Sequence, residues 1–183
     1  GTCGNCIRCI AACPTNAIKD SSAEALMVDA NLCISYLTIE NKGGIALPLR
    51  SQLGDWVYGC DICQEVCPYN SKTRVAPWPE FAPENGVGHY LNLPELLHLD
   101  DQRFAQRFEL SPLRRPKRRG LVRNALVVMG NQLAAGHPFS EQILEEVAAF
   151  AAREEDLLLV EHAAWALAQA QNRKGRKAID KIL

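Results

Sequence analysis

Eight cysteines crowd the first 67 residues of this chain, and none follows them. They fall as Cys3, Cys6, Cys9 and Cys13 followed by Pro14, then Cys33, then Cys60, Cys63 and Cys67 followed by Pro68. The first group is a C-x2-C-x2-C-x3-C-P run. That is the spacing by which three thiolates wrap a cubic 4Fe–4S cluster while the fourth reaches across to a second one. Eight ligands make two four-cysteine sites with nothing left over.

A symmetric repeat would place another cysteine three residues before Cys60, but that position is Val57. Cys33, outside both groups, fills the deficit. The spacing therefore assigns cluster one to Cys3, Cys6, Cys9 and Cys67, and cluster two to Cys13, Cys33, Cys60 and Cys63. Each group lends its proline-flanked cysteine to the other cluster, and about eight iron atoms per chain follow. Other uses of cysteine fit less well. A disulfide framework belongs to secreted chains, and no signal-peptide pattern is present. Structural zinc uses two separated C-x2-C knuckles, which leaves the triplets and the trailing C-P unexplained. Unliganded buried cysteine has no reason to recur every third residue.

The elements that must hold these ligands divide the chain into three parts. Residues 1–74 read as a loop-rich two-cluster ferredoxin-type module, with a turn over Pro14–Ile18 and a brief strand over Met27–Asp29. Leu49–Tyr58 reads as a short helix or extended segment that delivers Cys60. Gly4, Gly54 and Gly59 either let amides approach sulfur or are ordinary turn glycines. Residues 75–91, with Pro77, Pro79, Pro83 and Asn85-Gly86, read as a semi-rigid connector.

Residues 92–183 read as all-helical. Asn92 caps a first helix, and Asp100 or Asp101 caps a second that sends Phe104, Phe108 and Leu110 to a core. A third helix spans about 120–129 and ends near Gly130 and Asn131. A fourth carries Ile143, Leu144, Val147 and Phe150 on one face, and a fifth spans about 156–170. Val122–Leu126 aligns with Val160–Ala164 at a spacing of 38 residues, a period like that of HEAT arrays, although two alanine-rich helices can also match by chance. The fold class is α+β: a ferredoxin-like two-cluster module followed by a HEAT-like helical domain.

Hydrophobic residues make up 48% of the 183, with no apolar run long enough to cross a membrane, so the expectation is a soluble, cytoplasmic monomer. The net charge of −1 selects no partner, but its distribution does. Arg114, Arg115, Lys117, Arg118 and Arg119 sit just before the third helix. Cations there oppose the macrodipole, and together with free amides they form a phosphate site, in contrast to the solvated turn that such runs usually make. Phe104 and Phe108 read as core, not base-stacking platforms, and packing is the expected role of His162 and Trp165. His98, His137, Glu24 and Asp29 form no hydrolytic set. A ligand as near a fraying end as Cys3 suggests that more chain precedes Gly1.

The segments Cys33–Glu40, Tyr58–Pro68 and Cys13–Ile18 closely resemble the epoxyqueuosine reductase family, with a weaker likeness through the connector, Ser111–Arg119 and the helical tail. The resemblance implies an oxidoreductase that converts epoxyqueuosine to queuosine at the tRNA wobble position with cobalamin and two 4Fe–4S clusters. It implies that Ser35 and the Cys60-Asp61 turn face the corrinoid. The basic helix end would grip the anticodon stem-loop, with the modified base splayed out, and a low-potential donor would supply electrons. It also implies that most of the cobalamin site and the catalytic acid lie in a domain before the first cysteine, so no catalytic residue is carried over. Extra residues around 20–25 imply a longer surface loop. Two other readings stand beside it: a ferredoxin-type electron-transfer subunit on a helical docking scaffold with no RNA role, and a nucleic-acid-binding module with structural clusters.

Overall fold

The computed structural model describes residues 3–20, 26–74, 76–88 and 90–170. The loop expected at 20–25, Glu24 and the tail after Ala170 lie wholly or mostly outside them. The cysteine-rich part has short elements: α1 (Arg8–Ala12), β1 (Ile18–Asp20), β2 (Leu26–Val28), α2 (Ile34–Ile39), α3 (Leu47–Arg50) and α4 (Ile62–Glu65). The two strands pair antiparallel, with Ile18 opposite Val28 and Lys19 opposite Met27. Leu49–Tyr58 is neither one helix nor one strand. It is the end of α3, a 3-10 turn over Ser51–Leu53 and a loop, because Gly54 at φ 53° stops the helical path. The connector forms 3-10 turns at Pro79–Phe81 and Pro83–Asn85, with Trp78 stacked on Phe81 at 5.9 Å.

Helices dominate the rest: α5 (Leu93–Leu97), α6 (Asp101–Arg107), α7 (Lys117–Ala134), α8 (Ser140–Ala151) and α9 (Leu157–Ala168). Asn92 and Asp156 cap α5 and α9, and Asp100, not Asp101, caps α6 by accepting from the Arg103 amide at 2.7 Å. The expected apolar face of α8 is buried as read. Phe104 and Phe108 are core, their rings 4.9 Å apart. Leu110 is not: it is 99% exposed, because α6 ends at Arg107 and the chain turns outward.

The third helix departs most from expectation. It runs straight through Gly130 and Asn131 to Ala134. Gly130 is a close-contact residue: a Cβ there would lie 2.5 Å from the Trp165 ring and 3.0 Å from Ala166 Cα, so α9 can cross α7 only over a glycine. Asn131 is no cap, since its amide donates to the Arg50 and Gly54 carbonyls. Helices α7, α8 and α9 enclose an apolar core of Leu126, Met129, Val147, Phe150, Leu159 and their neighbours.

A separate apolar cluster joins Ile34, Leu37, Ile45 and Leu53 to Val127 of α7. The cysteine-rich part is thus seated directly on the long helix. Among the described residues, no helix is long and apolar enough to cross a membrane.

Candidate iron–sulfur site and its helical brace

Residues 29–33 make the first approach to the site. Asp29 accepts from the Asn31 amide at 3.1 Å and, through its carbonyl, from the Cys33 amide, so it turns the chain from β2 into α2. Cys33 is the N-cap of α2, and Ser35 lies in its first turn. On the other side Gly59, at φ 72°, supplies the left-handed bend before Cys60, and Asp61 precedes α4, which carries Cys63. The two approaches meet at Thr38: its hydroxyl donates to the Ile34 carbonyl at 2.8 Å and accepts from the Gly59 amide at 3.0 Å.

Between these segments opens a cavity of about 320 Å³. Cys13, Cys33, Cys60 and Cys63 all line it, with Ser35 and Asp61 beside them. These are the four cysteines that spacing assigns to one cluster, together with the two residues expected to face a corrinoid. Among the described residues, no three His, Cys, Asp or Glu side chains converge as they would on a single ion. A polynuclear cluster asks for thiolates spread round a cavity, and the donor set, four soft sulfurs, fits iron and sulfide.

The electrostatics follow the same grouping. Burial pushes the Cys60 thiol up, the Ile62 amide offsets part of this, and the nearby Cys63, Cys33 and Cys13 sulfurs push it further. At Cys13 burial also acts upward. Bonds from Thr15 and from the Ala17, Thr15 and Ile18 amides outweigh it and hold the thiol below its ordinary range. The Ala17 amide reaches the sulfur at 3.3 Å. Such donors stabilise thiolate and tune a cluster.

The other four cysteines lie outside this cavity. Cys9 lies on α1, which packs against α4, and Cys67 follows α4; Cys3 is exposed and Cys6 half-buried.

Sequence reading missed the brace beneath this site. Asn124, fully buried on α7, donates at 2.8 Å to the carbonyls of Thr38 and Val57 and accepts from Arg123. Arg123, also buried, donates to the carbonyls of Leu37, Asn41 and Gly43. His162 Nε2 accepts from the Ile45 amide at 3.2 Å, while its Nδ1 lies 2.7 Å from the Leu158 carbonyl. Burial above all, with Arg50 and Arg123 nearby, lowers the His162 pKa to about 4. Arg50 donates to the Ile45 carbonyl and Glu161 and lies 5.3 Å over the Trp165 ring. The legible signal was a polar Arg-Asn pair inside the apolar run Leu121–Met129. Asn124 and His162 occupy equivalent places in the 38-residue alignment, and both bond to the cysteine-rich part.

The basic stretch splits by role. Arg118 donates to the Leu99 carbonyl and pairs with Glu154 at 3.1 Å, and Arg119 forks onto Asp156, holding that carboxyl below its usual range. Arg115 pairs with Glu40 at 2.5 Å, and Arg114 donates to the Glu109 carbonyl. Lys117 is exposed at φ 62°, a left-handed conformation that costs a lysine about 1 kcal/mol or more. Outside these groups, His98 pairs with Glu146 at 2.8 Å and His137 accepts from the Phe139 amide.

Residues 2–70 match the family model of a 4Fe-4S double cluster binding domain. The chain is 40% identical to the epoxyqueuosine reductase of Xanthomonas campestris over 91% of its length, and 39% identical to that of Escherichia coli K12 over 94%. It is a relative of the epoxyqueuosine reductases. Residues 2–70 are the double-cluster part, and the cofactors that go with it are two 4Fe–4S clusters.

The chain spans less than half the length of these curated relatives, 44% and 42%. The fold agrees with solved reductases. The Bacillus subtilis enzyme, determined with its catalytic aspartate loop swung out of the active site, superimposes with a TM-score of 0.83 at 27% identity. That alignment covers 98% of this chain and 45% of the other. A reductase crystallised with an epoxyqueuosine-modified tRNA-Tyr stem loop gives 0.74 at 25% identity, covering 98% and 50%.

Proposed function

We propose that this chain is the electron-delivery and tRNA-docking portion of an epoxyqueuosine reductase, which reduces epoxyqueuosine to queuosine at the tRNA wobble position. The observation that carries the reading is the cavity in which Cys13, Cys33, Cys60 and Cys63 stand beside Ser35 and Asp61. Cys13, Cys33, Cys60 and Cys63 hold one cluster, and Cys3, Cys6, Cys9 and Cys67 the other. Ser35, Cys60 and Asp61 face cobalamin, whose cobalt, once reduced, supplies a strong reductant for the epoxide. Opening an epoxide to an alkene consumes two electrons and two protons and releases water.

The electrons come from a low-potential donor protein, and this chain keeps their path short by fixing the Cys33 and Cys60 loops on α7 through Thr38 and Asn124. Parts 1–74, 75–91 and 92–183 act as cluster module, connector and HEAT-like domain. The equivalent roles of Asn124 and His162 support the repeat. Arg114, Arg115, Lys117, Arg118 and Arg119 form the RNA face, Arg118 and Arg119 mainly by holding the first turn of α7 in place. The protein works as a cytoplasmic monomer.

The test is binding of an anticodon stem-loop to cluster-loaded protein over a salt series. Charge reversal at Arg114 and Arg115 should weaken binding at least tenfold and flatten the salt dependence by about two contacts. Unchanged affinity and slope would leave a ferredoxin-type electron-transfer subunit with no RNA role.

A further inference from the structure

A second cavity, about 120 Å³, lies where the loop after α2 meets the first turn of α7, and it shares no residue with the cysteine cavity. Four of its seven lining residues are cations, Lys42, Lys117, Arg119 and Arg123, and none is an acid. Pro116 and Leu158 supply apolar wall.

Arg123 is the unusual member. It is 1% exposed, and all its hydrogen bonds go to neutral acceptors: three backbone carbonyls and the Asn124 side-chain oxygen. The charged group that acts on it, Arg119, is another cation. A guanidinium stays charged in proteins, and a buried charge without a counter-ion is costly. Lys42 reaches only carbonyls, those of Ile39 and Arg115, and Lys117 is exposed. Asp156 is taken by Arg119, and Glu40 by Arg115. The cavity is thus walled by more positive charge than the protein neutralises.

We propose that this cavity is an oxyanion site that receives a phosphate, and, resting on the tRNA reading above, that the phosphate belongs to the RNA backbone. A tetrahedral anion there meets cations from the cysteine-rich part and from α7 at once, so an RNA held by it is held in register with the cluster-bearing loops. Lys42, which lies outside the basic stretch, becomes a phosphate ligand.

The test uses the chain loaded with both clusters under anaerobic conditions. Inorganic phosphate should raise the melting temperature by about 3–6 °C at tenfold its dissociation constant, relative to chloride at equal ionic strength. The Lys42→Ala, Lys117→Ala double variant, altered only at exposed side chains, should lose that rise. The variant should also reduce the salt slope of stem-loop binding by about one. No phosphate-specific rise in the parent protein overturns the site. A rise that the variant abolishes, with stem-loop binding and slope unchanged, overturns the RNA assignment and leaves a site for free phosphate. If phosphate binds the parent while the stem-loop does not, the tRNA reading fails and the oxyanion site stands.

Discussion

In α1 and α4, the helices that carry Cys9 and Cys63, no residue is buried, whereas in α7 twelve of the eighteen are. The two regions touch but are stabilised differently. Helices α7, α8 and α9 bury leucines, valines and phenylalanines, each contributing about 1.5–3 kcal/mol. Segments 3–18 and 59–70, which carry seven of the eight cysteines, bury Thr15 and Ala17 and nothing else. Four- and five-residue helices cannot stand alone in water. Their shape must come from the metal clusters on one side and from the α7 brace on the other. A protein built this way keeps its cluster ligands near the surface, where electrons can enter, while its position on a rigid helix stays fixed.

The contrast can be broken most severely by removing iron. Anaerobic chelation should erase amide-exchange protection over residues 3–20 and 59–70 while α7 and α9 keep theirs, a difference of several orders of magnitude readable by mass spectrometry. Equal loss in both regions would show that the helices also depend on the clusters.

Next in size is the brace. Asn124→Ala strands two buried carbonyls and an arginine donor, and should cost roughly 2–4 kcal/mol in denaturant midpoint. It should also lower the iron content bound by Cys13, Cys33, Cys60 and Cys63, seen as loss of one EPR signal in the reduced protein. A smaller effect belongs to the helical side alone. Gly130→Ala drives a methyl into Trp165 and should cost about 1–3 kcal/mol while leaving eight irons per chain; a stabilised variant would mean that α9 can shift freely on α7.

The mildest probe is pH. His162 titrates near 4 in the folded protein and near 6.5 when free. Its pKa is depressed, so its contribution is complete above about pH 6.5 and is lost as pH falls towards 4, where the unfolded chain binds a proton that the folded one refuses. Urea unfolding followed by helical signal should therefore weaken across that window, and His162→Gln should flatten the dependence. An unchanged slope would place the acid sensitivity elsewhere.

Cysteine spacing, the missing cysteine at Val57, the cap at Asn92, the choice of Asp100 or Asp101 for the next and the apolar face of α8 were all legible in the sequence, since each is a local pattern with a local physical cause. Gly130 misled because a helix-ending glycine and a helix-crossing glycine look alike until the partner helix is known. Lys42, Thr38 and Asn124 gave no local sign of their long-range contacts, because those partners lie 21 to 86 residues away. The sequence by itself determined which thiols are spaced as cluster ligands and which faces are apolar, because ligand chemistry and periodicity are written in residue type and spacing. Only the tertiary structure decided that the cluster loops hang from the middle of one helix and that the basic stretch divides into bonded arginines and an exposed lysine, Lys117. Those depend on which buried polar groups find one another across the fold.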